Sequence, residues 1–371
     1  MFLGSHQDAD IDLETKQEIS MNDFIEYWAA VRLLLEGGNP YSAEQMLRLQ
    51  SSIGWTDQRP LMMWNPPWAL SVVLPFGFFS FEVGRFLWLL VNFSVVVLCI
   101  DLSWKIYGGP KRYFWLPWVV GLGFFPTLYV LRVGQITPFI LLGVMGFLYF
   151  IKRERYVLAS CSPILISLKP HLLYLFWIAL LCWIIHRKQW KMLMMIGATL
   201  ILATVVPLSY NPSIIAHYFR SSFEAPPLYW VTPTIGCLLG TIMGTSSVGL
   251  KFLPMTLCLC FFFGVYWRRH KMDWVWERQM PILLLVSVST AAYGWSFDLV
   301  VLIPALIQAA VITIQEARPK LVEFAVLYFL LSNVLAYWLS SHDFSELHFV
   351  WMAPALLIGF LGIRGQQVKE S

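Results

Sequence analysis

From residue 66 to the last few residues the chain is almost unbroken hydrocarbon, interrupted only by short polar turns. Charged residues make up 13% of the whole and apolar ones 58%, against about 25% charge in a water-soluble globule. Stretches of about twenty apolar residues cross a bilayer as helices, so the pattern predicts an all-α, polytopic transmembrane protein. The net charge of +4 conceals an asymmetry. Residues 1 to 66 hold ten Asp and Glu against four Lys and Arg, and the remainder twelve against twenty-two. A split of this kind reports membrane topology and points to no nucleic-acid partner.

Spanning candidates fall at 82 to 104, 112 to 131, 136 to 151, 156 to 168, 171 to 186, 191 to 209, 247 to 268, 279 to 295, 297 to 315, 321 to 340 and 347 to 364. That makes eleven, with 156 to 168 and 171 to 186 short enough to form a re-entrant hairpin instead. Residues 66 to 80 would reach only about 22 Å as a helix against a core of roughly 30 Å, which predicts an interfacial or re-entrant segment. Two regions follow: an N-terminal segment, 1 to 66, and a multi-pass membrane domain, 67 to 371. The first 21 residues lack the basic and apolar regions of a signal peptide. Met1-Phe2-Leu3-Gly4 reads as the end of a helix, so one further spanning helix is expected before residue 1.

Orientation follows from the loops. Lys105, Lys111 and Arg112, then Lys152, Arg153 and Arg155, then Arg187, Lys188 and Lys191, occupy every second connection. The series continues with Arg268, Arg269, Lys271 and Arg278, with Arg318 and Lys320, and with Arg364 and Lys369, placing this side in the cytoplasm. The opposite side then carries the turns at 132 to 135, 169 to 171, 294 to 298 and 340 to 346, the 210 to 246 loop, and the acidic N-terminal segment.

That N-terminal segment contains Asn22 to Tyr41, whose spacing predicts a short helix stopped by Gly37 and Gly38 and turned by Asn39-Pro40. Phe24, Trp28, Val31 and Leu35 form one apolar face, and Asp23, Glu26 and Tyr27 look out from another. Asp23 with Glu26 is consistent with a capping box as well as with a displayed carboxylate. Helix centres are nearly empty of charge. Polar groups gather at the outer ends instead: Arg132, Gln135, Lys169, His171, Tyr293, Trp295 and Asp298. Buried ionisable groups in membranes usually mark function. Each also has a plainer reading: Lys169 and Arg132 as snorkelling cations, Gln135 and Asp298 as helix starters. Tyr229, Trp230 and Pro233 in the 210 to 246 loop suit sugar stacking. The six cysteines lie in apolar runs with no metal-ligand spacing, and His342, Asp343 and His348 resemble a zinc cluster only loosely. Neither disulfide, metal nor cofactor is expected.

Taken in order, Asp23 to Tyr41, Pro66-Pro67-Trp68 with Leu74-Pro75, Gly134-Gln135, Lys169-Pro170 and the stretch from Trp295 to Pro304 resemble glycosyltransferase family 87. These are C-type membrane enzymes, among them mannosyltransferases that draw on polyprenyl-phosphate mannose. The resemblance implies a C-type fold with exoplasmic interfacial helices, and transfer of a mannose-like hexose from a polyprenyl-phosphate donor to a lipid or glycan acceptor, with inversion. It implies a catalytic Asp at position 23, on the outer face of the plasma membrane. It also places a membrane helix before that Asp, which the chain as written does not contain. Lys169, Arg132 and His171 are then the candidates for the donor phosphate, and Glu26, Tyr27, Gln135, Trp295, Asp298, Tyr229 and Trp230 for substrate. Membrane lipids complete the expected partners. A multi-pass transporter or lipid flippase, or a structural subunit of an envelope complex, would share the helices and the outer polar turns without transferring a sugar.

Overall fold

The computed structural model describes residues 23–224, 230–245 and 247–368. The expectations for residues 1 to 21 and for Tyr229 lie outside the described residues. The protein is 76% helical, and no strand occurs among the described residues. Among the described residues six helical stretches are long and apolar enough to cross a membrane: Phe81–Ile106, Trp190–Tyr210, Val248–His270, Ser296–Glu316, Pro319–Ser341 and Glu346–Gly365. The pair Leu116–Leu122 and Phe125–Val133, bent by 56°, makes a seventh if taken as one span. The other four expected crossings fall on shorter helices: Thr137–Ile151, the broken pair Tyr156–Cys161 and Pro163–Ile166, Tyr174–Arg187 and Trp276–Thr290. A helix of about fifteen residues covers only about 22 Å. Length and composition therefore support six or seven crossings of the eleven expected.

The chain divides into two compact units. The first comprises Met1–Phe93, Leu131–Ile136 and Ala198–Pro226; the second comprises Ser94–Val130, Thr137–Gly197 and Pro227–Ser371.

In the first unit, α1 (Phe24–Leu35) packs against α2 (Ala43–Ser52) and against α3 (Ala69–Val73) with the 3-10 turn Leu74–Phe78 that continues it. The segment expected to be too short to span is thus a short helix passing into a tighter turn at Pro75. Aromatic rings weld these pieces together. Phe24 stacks on Trp88 with centroids 5.5 Å apart, and Phe76 meets Trp88 edge-on at 5.0 Å. α1 ends as its glycines dictate: Gly37 takes φ +75, a conformation costly for any residue with a Cβ. The Asn39 side chain then accepts from the Tyr41 N–H at 3.0 Å, closing the turn.

One expectation about α1 fails. Its polar side is not turned outward: Glu26 is 7% exposed and Tyr27 fully buried, along with Phe24, Ile25, Trp28, Ala29, Ala30 and Val31. Amphipathic spacing assigns a polar group to solvent by default, but a tyrosine whose hydroxyl finds a buried partner is as stable inside.

In the second unit the most enclosed span is Ser296–Glu316. It opens with the 3-10 turn Ser296–Leu302 and runs into a helix, Ile303–Glu316. The helix Thr137–Ile151 packs on that turn and against the broken pair Tyr156–Cys161 and Pro163–Ile166, while Trp276–Thr290 packs on Tyr174–Arg187 and Met352–Val368. The helix Ile235–Ile242 lies close against Val248–Phe261.

Candidate functional site

In the first unit the polar chemistry centres on Asp23. A capping box would have its carboxylate accept from the first turn of α1. Instead Asp23 has αR backbone angles and makes no side-chain cap bond. Its N–H donates to the Val133 carbonyl at 2.7 Å, and its Oδ2 accepts from Gln135 Nε2 at 2.6 Å. Gln135 is 6% exposed, and its Oε1 accepts from the Tyr27 hydroxyl at 2.7 Å. The amide is thus pinned at both ends, presenting one N–H to a carboxylate that stays half-buried. Burial, followed by the charges of Glu26 and Asp23, pushes the Tyr27 phenol well above its ordinary value, so it remains a proton donor to the amide.

The turn bearing Gln135 is itself anchored. Gly134 takes φ +72, and its carbonyl accepts from the buried Trp88 indole at 2.7 Å. Tyr27 and Gln135, expected as substrate contacts, are thus committed to holding Asp23. Glu26 is buried beside them, and Arg132 is exposed in the last turn of the helix Phe125–Val133.

In the second unit Lys169 does not snorkel. Its Nζ donates to Asp298 Oδ1 at 2.8 Å and to Thr137 Oγ1 at 3.3 Å, and Thr137 donates in turn to Asp298 Oδ1 at 2.6 Å. The side chains of Lys169 and Asp298 are 12% and 1% exposed. Asp298 does not begin a helix at residue 299 as expected: it is the third residue of the turn Ser296–Leu302, and its Oδ2 reaches back to accept from the Trp295 N–H at 3.0 Å. It therefore serves Lys169 and the turn together, and is too enclosed to meet a substrate directly.

The same turn is held from its other side by Glu346, whose carboxylate accepts from the Ser296 N–H and hydroxyl at 3.0 Å each and from the Tyr129 hydroxyl at 3.2 Å. Sequence reasoning passed over Glu346; its position just before a span, four residues from His342, was the available signal.

His171, in the turn before Tyr174–Arg187, has an exposed ring. Surrounding protein and the Lys169 charge nevertheless push it down to about 4, against a smaller opposing pull from Asp298. Trp295 and Trp230 are half-buried and meet edge-on at 5.8 Å. Among the described residues no three His, Cys, Asp or Glu side chains are grouped to hold a metal ion.

Long apolar helices with carboxylates, ammonium groups and indoles gathered at their connecting turns define a polytopic membrane protein equipped for polar chemistry. Residues 64–336, more than half of the chain, match the model of glycosyltransferase family 87, and the chain belongs to that family. It is therefore a membrane glycosyltransferase, with a sugar donor and an acceptor as its partners. No curated protein and no solved structure matches it. Pro66-Pro67-Trp68, Gln135, Lys169 and Asp298 fall inside the matched residues, whereas Asp23 precedes them.

Proposed function

We propose that this glycosyltransferase moves a mannose-like hexose from a polyprenyl phosphate to a lipid or glycan acceptor at the exoplasmic face of the plasma membrane, with inversion. The observation that carries this reading is the Asp23 carboxylate, held by Gln135 instead of capping its own helix. Nucleotide sugars are not supplied outside the cytoplasm, so a donor there is sensibly a phosphate whose hydrocarbon stays in the bilayer.

The acceptor oxygen attacks the anomeric carbon, its proton passes to Asp23, and the bond from that carbon to the phosphate oxygen breaks. Polyprenyl phosphate departs with the bonding electrons. Lys169, steadied by Asp298 and Thr137, meets the charge that grows on the phosphate. Arg132 and the neutral His171 are further contacts for the phosphate, and Trp230 and Trp295 offer ring faces to sugar.

The direct test incubates the purified, full-length protein in detergent with radiolabelled polyprenyl-phosphate hexoses and acceptor lipids. A labelled glycolipid is expected. Transfer from nucleotide sugars alone would reject the donor, and movement of label across vesicles without a new bond would favour a transporter.

Gln135 provides a second test. Gln135→Leu removes the N–H that orients the carboxylate, and a hydrogen bond to a charged group is worth about 1.5–3 kcal/mol. The expected result is a fall in kcat of about ten- to hundredfold with little change in the donor KM. Steady-state kinetics showing an altered KM and an unchanged kcat would return Gln135 to the role of substrate contact.

A further inference from the structure

Lys251 lies in the first turn of the span Val248–His270, among apolar residues, and only 5% of it is exposed. Enclosing an ammonium group in such a place is costly, and membrane proteins keep one there chiefly for use. The fold positions it closely. Gly236, on the helix Ile235–Ile242, approaches the Lys251 backbone so tightly that a Cβ would come within 2.4 Å of the Lys251 carbonyl oxygen. Lys251 Nζ donates to the Trp230 carbonyl at 3.1 Å and stands 5.1 Å from the centroid of the Tyr293 ring.

Contacts link Lys251 to Lys169 by two routes. On one, Lys169 Nζ stands 5.0 Å from the Phe297 ring centroid, Phe297 stacks on Trp295 at 6.0 Å, and Trp295 meets Trp230, whose carbonyl holds Lys251. On the other, Lys251 faces Tyr293, Tyr293 meets His171 edge-on at 6.4 Å, and His171 lies in the field of Lys169 and Asp298. The two routes close a circuit of rings with an ammonium group on each side, and His171, on the second route, is exposed.

We propose that Lys251 is a second cation of the donor-phosphate site, engaging the phosphate of a prenyl-phosphate sugar together with Lys169. The proposal rests on the lipid-phosphate reading of the donor given above. A sugar phosphodiester carries one negative charge, and the departing prenyl phosphate gains a second. Lys169 already shares its charge with Asp298, so an additional ammonium group matches the charge that appears as the bond breaks. Trp295 and Trp230, between the two lysines on the first route, present indole rings to the hexose.

The test measures binding of farnesyl phosphate and of farnesol to the full-length protein in detergent. The wild-type protein is expected to prefer the phosphate. Lys251→Met should reduce that preference by about ten- to hundredfold while leaving farnesol binding unchanged, and Lys251→Arg should retain most of it. Lys251→Gln keeps an N–H for the Trp230 carbonyl but removes the charge, so an equal loss in this variant supports an electrostatic role over a purely structural one. A full wild-type preference in folded Lys251→Met or Lys251→Gln overturns the assignment while the lipid-phosphate reading stands. A wild-type protein indifferent to the phosphate overturns both.

Discussion

Asp23→Asn is expected to lower glycosyl transfer by about two to four orders of magnitude, the usual contribution of a positioned general base, in a protein that inserts and unfolds like the wild type. The substitution is nearly isosteric, and the amide oxygen still accepts from Gln135 Nε2, so the clasp at the start of α1 persists. What disappears is the capacity to take a proton. Asparagine is as good a helix cap as aspartate, so a role confined to starting α1 would leave turnover untouched. Initial rates with a lipid-linked sugar, read beside a thermal unfolding curve in detergent, decide the matter. Wild-type turnover by Asp23→Asn rejects the base.

Lys169→Met should damage stability and activity together, for separable reasons. It strands the Asp298 carboxylate, 1% exposed, with the Thr137 hydroxyl and the Trp295 N–H as its remaining neutral donors among those described above. Removing one partner of a buried ion pair costs about 3–5 kcal/mol. The double variant Lys169→Met with Asp298→Asn removes the stranded charge and should recover most of that stability. Activity should not return with it, because the cation facing the phosphate is still missing. Denaturation midpoints and donor-dependent rates on the three proteins form the measurement. A double variant that regains donor use would leave Lys169 a purely structural role.

Much of this architecture was legible in the chain. Apolar runs located the spans, and six of them, among the described residues, are helical stretches close to their expected limits. Glycine at 37 and 38 announced the end of α1, and the apolar stretch before residue 81 holds only the short helical piece Ala69–Phe78. Breaks inside apolar runs were less legible. The stretch 156 to 168 divides around Ser162 and Pro163, and 112 to 131 bends between Leu122 and Phe125, where hydropathy alone reports no change of direction.

The site was legible as a set of residue types at turns but not as pairs. Lys169 and Asp298 are 129 residues apart in the chain, and nothing local shows that each neutralises the other. Tyr27 and Gln135 were readable as polar groups, and the assumption that polar groups face outward hid their partnership with Asp23. Lys251 was masked for the opposite reason, since a single cation near the start of an apolar helix resembles an interfacial anchor.

The clasp around residue 134 alters which positions selection can see. Gly134 contributes no side chain, yet its left-handed backbone delivers its carbonyl to the Trp88 indole and sets the neighbouring amide against the carboxylate. An atom-poor residue has thereby become a fulcrum: on the proposed role of Asp23, a side chain that forced the backbone at 134 out of its left-handed turn would unseat the base without touching it.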